Sequence, residues 1–588
     1  MRDTMIARGP DGAGLRIERN VALGHRRLAI IAPGPDGDQP MSSSDGRWCV
    51  AYNGELYNDD ELRAELRASG LPLPLRGDTA TIVSALEAWG LEALSKLRGM
   101  YAIAVHDRQQ RSVHLFRDPF GIKPLYWSFD GTELVFASDL RALLRHPRVA
   151  VAPDLEGVSG YLTNLRTNLG QRTLFRGVHC LEPGMQLNLR TDVANFRPRL
   201  SLGAEEPPLE GIDPRAAADQ LREVLADSVQ RHLWSDRPSA VLLSGGLDSA
   251  LIAALAAESG DRPTAFVAGC EGEGPEGDRA QAAEVARELG LDLREVSLDQ
   301  ATFLRGWSEM VNIGGMPIST PNEVAIRALA RAMAAEGRVV ALGGEGADEL
   351  FGGYGAVMDA AQTFESVGAP GLGAGRFHLE ACAWVAPAAK AEILSPYVWD
   401  VLNDDAALIE SSDRLFELGR RELGPEADPL EAHLRYLRRV NLTGLLERLD
   451  RSTMLASVEG RVPFADRRVR AFADALPMAY KYGPAPALVG GGGSSDLRPQ
   501  GPAPRTKLVV RDAARGLVGE RVLQRPKTSF PLPMQRWIAD SGSILRDSPF
   551  ATALFQPEAI ERVASDPSAH WTHAWPMLNL AQWGDRWF

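Results

Sequence analysis

The run AVLLSGGLDSALIAALAA, residues 240 to 257, constrains this chain more than any other stretch. An apolar, strand-like segment ends in Ser244, Gly245, Gly246, Leu247, Asp248 and Ser249, and a helix of small residues follows at once. A strand that feeds a glycine turn and then a helix N-terminus aims several backbone N–H groups and the positive helix end at one place, which suits a phosphate or pyrophosphate. No Gly-Lys-Ser/Thr follows the turn, so a lysine on the terminal phosphates in the manner of a Walker loop is excluded. Leu243, Ser244, Gly245, Gly246, Asp248 and Ser249 are the residues expected to cradle the anion.

A second loop, in ALGGEGADELFGGY at residues 341 to 354, sets Gly344, Glu345, Asp348 and Glu349 directly after another strand-like run. In a parallel α/β domain the loops at the carboxyl ends of strands converge on one crevice, so the acidic loop is expected to face the first one. Carboxylates beside a polyphosphate need a cation, and magnesium takes one or two carboxylates plus phosphate oxygens. Asp248 and Asp348 form the expected metal pair. Lys527, in RPKTSF, is a mobile point charge suited to negative charge developing on a phosphoryl oxygen.

At 588 residues the chain exceeds the ~250 to 300 at which one core stops growing, so two or more domains are expected. Hydrophobic residues make up 45% and charged residues 24%, as in ordinary globular proteins, and no apolar run reaches the ~18 residues of a membrane span. The net charge of −13 and the lack of a dense basic stripe give no nucleic-acid surface. Cys49, Cys180, Cys270 and Cys382 are scattered, which argues against a zinc site or a disulfide framework and fits a reducing cytoplasm. The opening MRDTMIARGPDGAG has no apolar signal-peptide core.

The first ~190 residues alternate short apolar runs with turn signals, interrupted by two amphipathic helices, as in an antiparallel strand-rich domain. Residues 196–214 read as a linker, and a helix with Leu221, Val224, Leu225 and Val229 on its apolar stripe follows. Beyond it AVLLS, TAFVAG, LREVSL and RVVALGG alternate with helical segments, the order of a parallel sheet with helices on its faces. From about residue 355 onward the chain reads as mostly helical, and the Gly/Pro/Ser-rich stretch 483–504 reads as a surface loop.

Ten ordered blocks carry a resemblance: RGPDGAG, LGHRRLAII, YNGELYN, GDTATIV, GMYAIAVHD, RDPFGIKPLYW, LLSGGLDSA, GGEGADELFGGY, LDRSTMLASVEGRVPFADRRV and RPKTSF. Together they resemble the glutamine-dependent asparagine synthetases of the bacterial two-domain type. The resemblance implies an N-terminal nucleophile glutaminase α+β sandwich over 1–195. It also implies an ATP-pyrophosphatase domain of the adenine-nucleotide α-hydrolase kind over 215–588. The implied activity is amidation of a carboxylic acid through an acyl-adenylate, with ATP and Mg2+ as cofactors and ammonia drawn from glutamine. Arg27 would hold the glutamine carboxylate, Asn53 and Gly54 would form the oxyanion hole, and Glu55 and Asp78 would bind the α-amino group. Glu345 and Lys527 would be the catalytic residues of the ligase half. Small-molecule substrates, no nucleic acid or membrane partner, and a homodimer as one possible assembly complete the expectation.

Two departures stand out. Family glutaminases begin Met-Cys, and that thiol attacks glutamine with its own α-amine as base, whereas this chain begins Met1, Arg2. A start codon chosen too late and a domain without its nucleophile are the two explanations; retention of the five glutamine-site residues favours the first. As it stands the polypeptide is not expected to hydrolyse glutamine, and Cys49 reads as a small buried hydrophobe. The segment NIGGMPISTPNEVAIRALAR carries glycines where the family commonly has acidic residues, which points away from aspartate as the acceptor and leaves the expectation at aspartate or a related acid. An intramolecular, ring-closing ligase resembling β-lactam synthetase is the alternative, and retention of Glu345, where that family has tyrosine, weighs against it.

Overall fold

The protein is described from a computed structural model over residues 1–71, 73, 75–192, 199–202, 216–274, 277–368, 371–424, 426–483, 505–527 and 532–588. Period-two alternation in the N-terminal part builds two antiparallel sheets. One has six strands in the order Arg199–Leu202, Met185–Arg190, Ser112–Arg117, Gly99–Asp107, Trp48–Leu56 and Met41–Ser42. The other has five, from Leu134–Ala137 through Tyr126–Phe129, His179–Cys180 and Arg172–Thr173 to Asn168–Leu169. Val113, Leu115, Ala102 and Ala104 meet Leu125, Trp127 and Leu181 between the sheets. Helices Asp59–Ala68 and Asp78–Trp89 cover the outer face of the six-stranded sheet, setting Leu62, Leu66, Ile82 and Leu86 against Tyr52, Ile103 and Val105. This is the expected α+β sandwich, and Cys49 is buried in its interior.

Within the stretch read as a linker at 196–214, Arg199–Leu202 instead pairs antiparallel with Met185–Arg190. The alternating Arg-Leu-Ser-Leu is enough to extend an open sheet edge. The other residues of that stretch, and 484–504, lie outside the described residues.

The C-terminal part is built on a parallel sheet in the order Leu293–Leu298, Thr264–Cys270, Ser239–Leu242, Val340–Leu342 and Glu459–Arg461. Helices on both faces bury it, which is why Val241, Phe266, Val340 and Leu342 run as continuous apolar sequence rather than alternating. Ser239–Leu242 is central. The next two strands are added on one side of it and Val340–Leu342 on the other, so the sheet reverses direction there and opens a crevice at the strands' carboxyl ends. The rest is mostly helical, as expected, and no described helix is long and apolar enough to cross a membrane.

The two parts share a core in which Tyr57, Met100, Phe120 and Ile122 pack on Leu442, Leu446, Leu449 and Val462. Around it lie buried ion pairs. Arg98 bonds Asp466 at 2.8 Å, Arg117 approaches Glu447 at 3.3 Å, and Lys123 reaches both Asp450 at 3.3 Å and Glu459 at 3.2 Å. Arg461 bridges Glu55 at 3.0 Å and Glu459 at 2.9 Å. Charges removed from water are tolerable only while paired, so deleting one partner is costly. Lys123→Met is expected to destabilise the protein by roughly 3 kcal/mol, seen as an earlier thermal transition, and adding Asp450→Asn should recover part of the loss.

Candidate active site

The phosphate-type loop lies at the end of strand Ser239–Leu242, where the chain must turn sharply into helix Leu247–Glu258. Gly245 makes the turn possible: its φ is +67°, and a Cβ there would sit 2.5 Å from the Gln281 side chain. Ser249 Oγ lies 3.1 Å from Ser244 Oγ and accepts from the Ser244 N–H at 3.1 Å, which ties the loop across its own mouth. Gly246, at the N-cap, places no side chain over the helix end, so the first N–H groups of the helix stay open to an anion. Leu243 contributes differently, since its side chain is core and its N–H bonds the Phe266 carbonyl.

The acidic loop abuts the first one. A Cβ on Gly344 would lie 2.9 Å from the Ser249 nitrogen and 3.1 Å from Asp248 Cβ, so glycine is needed for the two loops to close on each other. Asp248 and Asp348 meet on one ammonium group: Lys507 Nζ lies 2.8 Å from Asp248 Oδ2 and 2.8 Å from Asp348 Oδ1, while Lys527 Nζ donates to Asp348 Oδ2 at 2.7 Å. Burial alone would raise the Asp348 pKa, but the two lysines outweigh it and hold the carboxyl below its usual range. Burial and the Asp348 carboxylate push Glu349 up to about 7, and Tyr354 donates a hydrogen bond to it.

Leu243, Ser244, Gly246, Asp248, Ser249, Gly344, Asp348, Glu349, Tyr354, Lys507 and Lys527 line one cavity of about 330 Å³, together with Glu345, Arg448, Arg511, Arg525 and the apolar Phe266, Ala325, Ile326 and Leu329. Gly245, expected in the cradle, is not among the lining residues: it packs against Gln281 and shapes the turn. Glu345 folds back over Gly343, and its Oε2 is buried without a hydrogen-bond partner. Sequence reasoning gave no role to Arg448, Arg511 or the Glu349–Tyr354 pair. Lys507, in TKLVVRDAA, reads from sequence only as a further lysine for phosphate; that it is buried between two aspartates is seen in the fold. Among the described residues no group of three or more His, Cys, Asp or Glu forms a metal-ligating cluster.

The five residues assigned to glutamine also share a cavity, of about 1130 Å³, lined by Arg27, Asn53, Gly54, Glu55 and Asp78 and bounded on one side by Met1, Arg2, Met5 and Arg8. Glu55 is buried with Oε2 unpartnered while Arg461 approaches Oε1 at 3.0 Å; burial pushes its pKa well up against that arginine. Asn53 Nδ2 is likewise buried and unpartnered. Gly54 is fixed by space, because a Cβ would stand 2.0 Å from the Met100 carbonyl oxygen. Arg27 is committed locally: Nη1 donates to the Gly34 carbonyl at 2.6 Å and Nη2 to the Ala32 carbonyl at 2.5 Å, pinning the turn around Gly37. His25, unassigned from sequence, faces the same space and is kept neutral by burial, its pKa lowered to about 4. None of the four cysteines is among the lining residues.

The two cavities belong to two recognisable domains. Residues 1–198 match the glutamine amidotransferase domain family, and residues 220–585 match asparagine synthase. The chain belongs to the asparagine synthase family. It is 29% identical to glutamine-hydrolysing asparagine synthetase 1 of Bacillus subtilis (strain 168), over 92% of this chain and 84% of that protein. It is 28% identical to asparagine synthetase 3 of the same organism, over 90% and 83%. The amidase chry2 of Gibberella zeae is 30% identical over 60% of this chain and 54% of its own length.

Burial, aided by the Asp59 carboxylate, raises Asp78 to about 6. Between about pH 4 and that value the unfolded chain has released this proton and the folded one has not, so stability falls as pH rises through the window. Asp78→Asn should therefore stabilise the protein by up to about 3 kcal/mol above pH 7 and by nothing below about pH 4. Thermal melts of both proteins across that range check it.

Proposed function

We propose that the chain is an ATP-dependent carbon–nitrogen ligase that converts a carboxylic acid, aspartate or a close relative, to its amide with release of AMP and pyrophosphate. The observation that carries the reading is the meeting of Asp248 and Asp348 across Lys507, directly beneath the open helix end that follows Gly246. In this reading ATP lies in the smaller cavity with its phosphates on the N–H groups of the Ser244 to Ser249 turn. The donor set suits magnesium: two carboxylates converge, and the buried Asp348 Oδ1 faces a cation already, the Lys507 ammonium at 2.8 Å. Magnesium bound there supplies neutralising charge for the departing pyrophosphate.

The acceptor carboxylate attacks the α-phosphorus, and pyrophosphate leaves toward the helix N-terminus, where Lys527 and Lys507 stand within reach of its charge. Ammonia then adds to the acyl carbon of the adenylate and AMP departs. The proton lost from nitrogen needs an acceptor, and the unpartnered Glu345 Oε2 is the oxygen this cavity offers. Ammonia comes from glutamine or from solution. For glutamine, Glu55 and Asp78 would meet the α-ammonium and the unpartnered Asn53 Nδ2 would donate to the side-chain oxygen, a reading supported by their lining of one cavity. The ring-closing alternative is not favoured, since the first-matched relatives are named asparagine synthetases and Glu345 keeps its carboxylate.

ATP–pyrophosphate exchange, screened over candidate acids that include aspartate, reports adenylation whatever the nucleophile. Exchange with one acid, abolished by Asp348→Ala with the fold retained, is the expected result. Full exchange in that variant refutes the metal and pyrophosphate assignment, and exchange with no acid refutes the ligase reading.

A further inference from the structure

Lys507 is placed unlike the other cations of the crevice. Its side chain is only 3% exposed, against 42% for Lys527, and it alone of the two reaches both carboxylates. Its backbone adopts φ +53°, left-handed for a residue with a Cβ, immediately before the helix Leu508–Ala514. Such a conformation is unfavourable for a residue with a Cβ and persists where the surroundings demand it. Toward Asp348 Oδ1 the ammonium makes an ion pair at 2.8 Å but no aligned hydrogen bond. It therefore behaves there as a point charge between two carboxylates, the position that a divalent ion shared by Asp248 and Asp348 would take.

Resting on the function proposed above, we propose that Lys507 is a place-holding cation. It neutralises Asp248 and Asp348 in the nucleotide-free protein, and it moves onto phosphate oxygens when metal and polyphosphate arrive together. The local pairing supports this. Asp248 and Asp348 are already matched by Lys507 and Lys527, while Asp278 is taken by Arg525 and Glu349 by Tyr354. A divalent ion entering alone between the two aspartates must displace Lys507 into a crevice that also contains Arg448, Arg511 and Lys527 beside the one further carboxyl of Glu345. Like charges at such short range in a partly dry site repel strongly. A pyrophosphate or triphosphate group removes the conflict, because it gives the displaced lysine a new anionic partner on the opposite side of the turn. Metal binding thus becomes conditional on the phosphate group, and the carboxylates are never left bare.

The test uses the full chain with Mg2+ alone, inorganic pyrophosphate alone, and both, read by calorimetric titration and thermal shift. In the wild type, Mg2+ alone should leave the melting temperature at its value in chelator, pyrophosphate alone should bind, and the two together should raise the melting temperature further. In Lys507→Met, Mg2+ alone should bind at least about tenfold more tightly than in the wild type, and pyrophosphate alone about tenfold more weakly. Lys527→Met, which keeps the bridge, should lose pyrophosphate affinity without gaining Mg2+ affinity. Wild-type protein that binds Mg2+ unaided while still binding pyrophosphate overturns the place-holding role and leaves the ligase reading intact. Unchanged affinities in Lys507→Met do the same. Wild-type protein that binds pyrophosphate under no condition overturns both. If Lys507→Met does not fold, the wild-type titration with Mg2+ alone decides.

Discussion

The reversal of strand order beside Ser239–Leu242 is the constraint on which the ligase site depends. Parallel strands deliver all their outgoing loops to one edge of the sheet, and only where the winding changes direction do two neighbouring loops part far enough to admit a ligand. The loop after Ser239–Leu242 brings backbone N–H groups, and the loop after Val340–Leu342 brings carboxylates. Neither is a nucleotide site alone. Their contact is controlled by Gly344, whose missing side chain sets how near carboxylate and helix end can come.

The second organising interaction is the charge network between the domains. Glu459–Arg461 is the outermost strand of the parallel sheet, yet its charged residues are buried, because Arg461 and Glu459 face Glu55 and Lys123 of the sandwich. Arg461 thus touches a residue of the larger cavity while its carbonyl accepts from the Gly343 N–H at 2.8 Å, at the root of the acidic loop. One side chain and its own backbone stand between the two candidate sites.

Much of this was legible in the chain itself. The strands of the parallel sheet that read as apolar runs are present, and the loops placed together by topology do meet. The strand Glu459–Arg461 escaped the hydrophobic pattern because its burial is supported by ion pairs from a distant domain, which no local window contains. Arg199–Leu202 was hidden for the opposite reason: a four-residue edge strand leaves too short a pattern to outweigh the Pro and Glu around it. For the site, glycines and carboxylates could be read because backbone geometry demands them. Lys507 could be read only as a charge for phosphate, since a lysine is usually solvated and only the fold reveals the two aspartates at its tip.

The Glu55–Arg461–Glu459 arrangement also bears on how the two halves could exist apart. Each domain contributes to a charge balance that closes only when both are present: the sandwich alone would leave Glu55, Arg98, Arg117 and Lys123 without these partners, and the synthetase part Glu447, Asp450, Glu459, Arg461 and Asp466. Such faces are unfavourable in isolation and specific in combination. A foreign domain grafted onto either half would have to match sign for sign along this seam, or leave buried charges without partners.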